Sequence, residues 1–83
     1  MDVTEITKKV ANFIEESFVY DETTTVNPDD SLLDSGLIDS TGVLELVTYL
    51  EDTFSISVED DELVPSNLDS INRIAGFVAG KLG

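Results

Sequence analysis

Hydrophobic side chains recur every three or four residues in three segments of the chain, which is the spacing of one face of an α-helix. The first segment begins near Val3, where Asp2 and Glu5 fit a capping box that satisfies free amides at a helix start. Its apolar positions are Val3, Ile6, Val10, Phe13, Ile14 and Phe18. We therefore predict a first helix that buries this face and leaves its polar residues in solvent.

The second segment starts at an Asp-Ser pair and continues to about Phe54. Either Asp39 or Ser40 caps this helix, because side-chain oxygens of both residue types accept an unpaired amide hydrogen at a helix start. The predicted buried face consists of Val43, Leu46, Val47, Leu50 and Phe54. The opposite side, which we call the acidic face, consists of Thr41, Leu44, Glu45, Thr48, Glu51 and Asp52.

The last periodic segment follows a cap at Asp69 or Ser70. Its predicted buried positions are Ile71, Ile74, Ala75, Phe77, Val78 and Leu82. Upstream, a run of acids favours a helix of one or two turns over residues 59–64, which Pro65 ends. Ile56 and Val58 alternate with serines as in a strand, but no other stretch offers a partner strand. We predict an extended link whose two apolar side chains turn inward.

Residues 19–38 lack a regular period and contain three consecutive threonines, Pro28 and Gly36. So long a connection is uncommon in a small domain unless it is functional. We predict a loop, with a short helical turn at residues 30–33. The apolar residues that pin it across the helices are Val26, Leu32, Leu33, Leu37 and Ile38. The predicted fold is all-α: a four-helix bundle with three longer helices, one short third helix and a long loop between helices 1 and 2, in one domain spanning residues 1–83.

The amino-acid composition excludes several kinds of catalytic and metal-binding site. The 83 residues make one small domain and include no cysteine and no histidine. This excludes a disulfide framework, the Ser-His and Cys-His nucleophile pairs and the usual zinc sites. No segment has the alternating acids, glycine and distal glutamate of a calcium loop. We therefore expect a protein that is not an enzyme.

Charge restricts the partners. Four basic residues against 18 acidic ones give a formal net charge of −14. Nucleic acid and anionic membrane surfaces would be repelled, so neither is an expected partner, whereas basic protein surfaces are. The chain has no apolar run of about 18 residues and no secretory signal at Met1. We expect a cytoplasmic monomer that does not insert into membranes.

Two segments of the chain match a known pattern. Residues 30–40 read DSLLDSGLIDS, and residues 64–71 read VPSNLDSI. Both resemble the acyl carrier proteins, in which the serine of an Asp-Ser pair at the start of the second helix carries a 4'-phosphopantetheine arm. The resemblance covers the chain from about Val3 to Leu82. It implies that the arm is attached to Ser40, within a motif formed by Gly36, Leu37, Ile38 and Asp39.

The Asp-Ser pair is not specific by itself, because it occurs at Ser31, Ser35, Ser40 and Ser70. Such a pair before an apolar run is a helix cap far more often than a modification site. Only Ser40 combines an upstream glycine, a long amphipathic helix downstream and the acidic face beside it. We therefore predict Ser40 as the modified serine, although it can serve the helix start as well.

The resemblance also implies the partners. A phosphopantetheinyl transferase would move the arm from coenzyme A to Ser40, and the thiol of the arm would hold acyl or aminoacyl groups as thioesters. An acyl or aminoacyl loading ligase and other basic-faced biosynthetic enzymes would dock on the acidic face through exposed contacts that salt screens. Leu44 is either an apolar contact for a partner groove or an ordinary exposed leucine.

Two residues depart from the common fatty-acid pattern: Thr41 stands where leucine is usual, and Gly42 where an acid is usual. An Asp-Ser pair followed by a small residue and glycine resembles D-alanyl carrier proteins and carriers paired with stand-alone adenylating ligases. A carrier dedicated to one pathway is therefore expected. Glycine inside a helix costs about 1 kcal/mol relative to alanine, which closer approach of a partner or of the arm would offset. The alternative function is an acidic helical interaction module without a covalent arm.

The net charge generates a first prediction. Crowding 14 net negative charges into a small domain destabilises it through self-repulsion. Salt screens this repulsion, since the Debye length falls from about 30 Å at 0.01 M to about 8 Å at 0.15 M. We expect the thermal midpoint, followed by circular dichroism at constant pH, to rise by several degrees between these NaCl concentrations. A midpoint that does not move would contradict the prediction.

Overall fold

Regular structure in the described part of the chain is helical throughout. The computed structural model describes residues 2–18 and 26–83. Its helices are α1 (Val3–Phe18), α2 (Ser40–Phe54), a 3-10 helix (Asp60–Glu62), α3 (Pro65–Leu68) and α4 (Ile71–Leu82). The predicted all-α bundle, with three longer helices and a short third one, is confirmed. Of the predicted first loop, residues 19–25 and their three threonines lie outside the described residues.

The core lies where α4 packs against α1, α2 and α3. Its buried hydrophobic residues are Ile6, Val10, Ile14, Leu32, Ile38, Leu46, Leu50, Phe54, Leu68, Ile71, Ile74, Ala75 and Val78. Burying one large aliphatic side chain stabilises the fold by about 1.5–3 kcal/mol. The three predicted helix faces are thus confirmed over their central turns. At the ends the prediction was wrong: Val3, the first residue of α1, is 50% exposed, and Leu82, the last residue of α4, is 41% exposed.

Aromatic rings join α1 to α2. Phe13 stacks on Tyr49 with ring centroids 4.1 Å apart, and Phe18 meets Phe13 edge-on at 5.8 Å. The Tyr49 hydroxyl donates a hydrogen bond to the Lys9 carbonyl at 3.1 Å. Such ring pairs add about 0.5–1.5 kcal/mol beyond their buried area. They hold the C-terminal half of α1 beside α2.

The region after α2 differs from its prediction in one respect. Residues 55–59 form a link without regular structure, which begins with Ser55 in the left-handed conformation at φ +56°, and Ile56 and Val58 are half-buried as expected. The predicted helix over residues 59–64 is reduced to the 3-10 helix, and Pro65 begins α3 rather than ending a helix. Proline favours the first helical position, since its missing N–H would be unpaired there and its φ is already helical.

An ion pair ties the 3-10 helix to the end of α4. The Lys81 Nζ atom lies 2.5 Å from Glu62 Oε1 and 5.7 Å from the centroid of the Phe77 ring. This hydrogen bond holds the pKa of the Glu62 carboxyl below its usual value, and the Glu59 backbone N–H acts in the same direction. The contact therefore fixes the segment that leads into α3.

Gly42 is buried in the first turn of α2. A Cβ atom at this position would lie 3.0 Å from Phe18 Cε1 and 3.1 Å from Ile38 Cγ2. The glycine therefore allows a close approach of the protein's own side chains, a contact that the sequence did not indicate. Phe18 and Ile38 use the space to seat the start of α2 against α1 and the loop.

This packing predicts opposite outcomes for two Gly→Ala substitutions. Gly76 lies inside α4, and nothing is within 4 Å of its added Cβ, so Gly76→Ala should stabilise by about 1 kcal/mol through helix propensity. Gly42→Ala gains the same propensity but overpacks, which costs about 1–3 kcal/mol. We expect urea unfolding to show a gain for Gly76→Ala and no gain or a loss for Gly42→Ala. Equal stabilisation by both would contradict the packing described for Gly42.

Candidate functional site

At the start of α2, Asp39 caps the helix and the next residue, Ser40, is exposed. Asp39 is the N-cap: its Oδ1 atom accepts a hydrogen bond from the Gly42 N–H at 2.7 Å, and its carbonyl accepts from Val43 at 3.0 Å. Ser40 is the first residue of the helix and is exposed. Within the described residues its hydroxyl has no hydrogen-bond partner. The structure thus decides between the two possible caps and leaves the Ser40 oxygen open to solvent.

The other three Asp-Ser serines are engaged inside the protein. Ser31 Oγ donates to the Asp69 carboxylate at 2.7 and 2.8 Å, and Ser35 Oγ donates to the Leu32 carbonyl at 3.1 Å. Ser70 is only 4% exposed and caps α4, where its Oγ accepts from the Arg73 N–H at 3.1 Å. Hydroxyls with these contacts are poor targets for a bulky modification.

The loop before Ser40 is shaped by two buried side chains and one glycine. Leu32 and Ile38 are 1% and 3% exposed, and the Ile38 N–H donates to the Leu32 carbonyl at 3.2 Å. Gly36 lies between them with φ +76°, a conformation that favours glycine. Leu37 is half-buried. The predicted motif therefore has a physical basis, since it closes a turn that ends at Asp39.

Two details of the loop differ from the prediction. The turn falls at residues 32–36 rather than as a short helix at 30–33. Val26, Leu32, Leu37 and Ile38 pack on the core as predicted, but Leu33 is 39% exposed. The reason is that successive residues of a turn cannot all face inward. Leu33 instead lines a surface cavity.

This cavity has a volume of about 60 Å³ and lies between the loop, the first turn of α2 and the segment around α3. It is lined by Leu32, Leu33, Ile38, Val43, Leu63, Val64, Pro65 and Leu68. A cavity of about 150 Å³ holds benzene, so this one holds only a smaller group unless side chains move. Its lining includes the nearest hydrophobic residue on each side of Ser40 in the sequence.

The acidic face of α2 is open to solvent except at one residue. Thr41, Leu44, Glu45, Thr48 and Asp52 are exposed, and Leu44 is 59% exposed. Glu51 differs, because its half-buried carboxylate accepts a hydrogen bond from the Val58 N–H at 3.0 Å. Glu51 thus holds the link after α2, a contact that helical periodicity alone did not reveal.

Comparison with known proteins shows the family to which the chain belongs. The family model described as "Phosphopantetheine attachment site" matches residues 4–78. The chain belongs to this family. Its members carry a covalently attached 4'-phosphopantetheine arm, so the predicted family and cofactor are confirmed. The alternative of an interaction module without an arm is not supported.

Relatives in this phosphopantetheine attachment family include D-alanyl carrier proteins. That of Streptococcus suis (strain 05ZYH33) is 36% identical over 78 residues, covering 94% of this chain and 92% of the relative. That of Streptococcus sanguinis (strain SK36) is 34% identical over 70 residues, covering 84% and 86%. The protein is therefore a carrier for acyl or aminoacyl groups, and its relatives are carriers rather than enzymes.

Solved structures agree with this family assignment. The acyl carrier protein of Thermotoga maritima has a TM-score of 0.73 and 27% identity, covering 99% of this chain and 92% of that one. KstB-PCP in its apo form has a TM-score of 0.74 and 34% identity, covering 95% and 88%. Carrier proteins of the family interact with a phosphopantetheinyl transferase and with biosynthetic enzymes. No helix in residues 2–18 and 26–83 is long and apolar enough to cross a membrane.

The capping contact yields a prediction for Asp39. Asp39→Ala removes the acceptor of the Gly42 N–H and should destabilise by about 1 kcal/mol, although it also removes one negative charge. Asp52→Ala is the matched control, because Asp52 is an exposed acid in the last turn of the same helix, where the helix dipole disfavours acids. Thermal unfolding should show a loss for Asp39→Ala and none for Asp52→Ala. Equal midpoints would refute the capping role.

Proposed function

We propose that Ser40 is the residue to which phosphopantetheine is attached, and that the protein carries an aminoacyl group loaded by a dedicated ligase. The exposed hydroxyl at the first residue of α2, without an internal hydrogen bond in the described residues, is the observation that supports the site. Ser31, Ser35 and Ser70 use their hydroxyls for internal contacts.

The position suits a phosphate ester. The amides of Ser40 and Thr41 precede the hydrogen-bonded turns of α2, since Gly42 donates to the cap and Val43 is the first to donate to the Asp39 carbonyl. A helix start therefore presents free N–H groups and partial positive charge, a favourable interaction of about 0.3–1 kcal/mol for an anion. Asp39 opposes this with its own charge, and its engagement by the Gly42 N–H lessens that effect.

Attachment requires one substitution at phosphorus. The Ser40 Oγ atom forms a bond to the phosphorus that bears pantetheine in coenzyme A, the phosphoanhydride bond breaks, and adenosine 3',5'-bisphosphate leaves. The hydroxyl proton passes to a base of the transferase. The protein supplies the oxygen and its position. When attached, the arm supplies a thiol that holds a carboxylic acid as a thioester.

Partner enzymes would recognise the exposed part of the acidic face. Glu45 and Asp52 are exposed on the same acidic face as Leu44, with Glu45 in the turn that follows Ser40 and Asp52 in the last turn of the helix. Exposed charges attract a basic surface quickly and release it readily, because salt screens them. A carrier that visits a transferase, a ligase and an acceptor enzyme in turn needs such weak contacts. Leu44 adds a small apolar contact at the centre of this surface.

Two observations support a small aminoacyl cargo. The relatives described above are D-alanyl carrier proteins, and the Asp-Ser pair followed by Thr41 and Gly42 resembles the sequence of such carriers. The cavity beside the first turn of α2 measures about 60 Å³, which is too small for a long acyl chain unless its lining side chains move. The proposed cargo is therefore an amino acid with a small side chain, of which D-alanine is the leading candidate.

Intact mass tests the attachment site. Apo protein is incubated with coenzyme A and a broad-specificity phosphopantetheinyl transferase. Wild type should gain the mass of one arm, and Ser40→Ala should gain none because the reacting oxygen is absent. Ser35→Ala is the matched control and should be modified like wild type, since Ser35 bonds to its own loop.

A Ser40→Ala variant that still gains the arm would end the assignment of the site. The same measurement on protein isolated from its own cells reads the cargo directly. A thioester mass corresponding to a long acyl chain would contradict the aminoacyl proposal while leaving Ser40 in place.

A further inference from the structure

Asp69 connects the α3–α4 junction to the loop that leads to Ser40. Its carboxylate accepts hydrogen bonds from Ser31 Oγ at 2.7 and 2.8 Å and from the Leu33 N–H at 3.1 Å. Its carbonyl accepts from the Leu32 N–H at 2.6 Å. Three consecutive loop residues therefore donate to one aspartate. Hydrogen bonds to an ionised acceptor are among the stronger ones in proteins.

These contacts continue toward Ser40. Ser31 Oγ accepts from the Asp34 N–H at 3.0 Å, and the Leu32 carbonyl accepts from the Ile38 N–H at 3.2 Å. Ile38 is followed directly by the cap residue Asp39. A second contact lies just upstream, where the Asn72 side chain donates to Asp29 Oδ1 at 2.5 Å and the Asn72 N–H donates to the Pro28 carbonyl at 3.0 Å. The first turn of α4 and the residue before its cap thus hold both ends of residues 28–34.

The helices themselves do not need the Asp69 side chain. Ser70 caps α4 through its own hydroxyl, and α3 ends through the main-chain bond from the Asp69 N–H to the Pro65 carbonyl at 3.0 Å. Within the described residues, the hydrogen bonds that the Asp69 carboxylate accepts all come from the loop. The Asp69 side chain therefore binds the loop and does not act as a helix cap.

We propose that Asp69 is a positioning residue for modification of the carrier, acting through Ser31 and Leu33 on the loop that presents Ser40. This rests on the proposed function, in which Ser40 receives the arm. With the contacts intact, apo molecules hold the loop in one arrangement that the transferase can engage. Without them, only a fraction of the molecules has that arrangement at any moment. The apparent affinity for the transferase then falls by the same fraction.

The test compares three variants as substrates of the transferase with coenzyme A. Asp69→Ala removes the acceptor, Asp69→Asn keeps one carbonyl oxygen, and Asp61→Ala is the matched control. Asp61 is an exposed acid on the 3-10 helix with no side-chain hydrogen bond in the described residues. For Asp69→Ala we expect KM to rise about tenfold with kcat changed by less than about twofold, as if roughly one molecule in ten were competent. Asp69→Asn should recover most of the loss, and Asp61→Ala should match wild type.

Hydrogen exchange provides a readout of the loop itself. The amides of Leu33, Asp34 and Ile38 should exchange faster in Asp69→Ala, whereas those of Leu46 and Ile74 in the core should not change. Ser31→Ala removes the donor instead of the acceptor and should reproduce both effects more weakly. It carries the test if circular dichroism shows Asp69→Ala to be unfolded.

The outcomes separate this proposal from the proposed function. Wild-type KM and wild-type loop exchange in a folded Asp69→Ala or Ser31→Ala variant would overturn the positioning role, as would a loss confined to kcat. In both cases Ser40 would still gain the arm at long times. An arm that never appears on wild type, or appears on Ser40→Ala, would instead overturn the attachment site.

Discussion

The presentation of Ser40 depends on a segment that has no regular structure of its own. Fixing such a segment costs about 1–2 kcal/mol of conformational entropy per residue, and here the burial of Leu32 and Ile38 offsets part of that cost. The hydrogen bond between these two residues closes the turn, and Gly36 provides the backbone conformation that the turn requires. The position of α2 follows, because Gly42 seats directly against Ile38.

The acids that stabilise the fold and the acids exposed on α2 are mostly different residues. Most acids of the acidic face make no internal contact, which leaves Glu45 and Asp52 available on the surface. Several acids do make internal contacts, among them Glu51 with the Val58 N–H, Asp39 with the Gly42 N–H, and Glu62 with Lys81. A few carboxylates thus contribute to stability through specific contacts, while the others add to the negative electrostatic field of the surface.

The sequence predicted those features that depend on local pattern, and missed those that depend on distant partners. The start and end of α2 and the central turns of the buried faces followed from a capping signal and a 3.6-residue period, and both are confirmed. Pro65 was predicted to end a helix but begins one. Proline is found both after the end and at the start of helices, and the acids before it did not distinguish the two positions. The partner of Gly42 could not be read, since Phe18 lies far from it in the chain. The contact between Ser31 and Asp69 spans a similar distance and has no sequence signal.

The four serines that follow an aspartate differ in the hydrogen bonds of their hydroxyls within the described residues: those of Ser31, Ser35 and Ser70 bind inside the protein, and that of Ser40 does not. A serine at a helix start normally accepts an amide hydrogen there, and Ser70 does so. At α2 the preceding aspartate makes that contact, and within the described residues the hydroxyl of the next residue has no internal hydrogen-bond partner. An acceptor placed one position earlier therefore leaves the serine oxygen without a capping role. An Asp-Ser pair, an ordinary capping sequence, can in this way keep a serine hydroxyl exposed while the helix start stays capped.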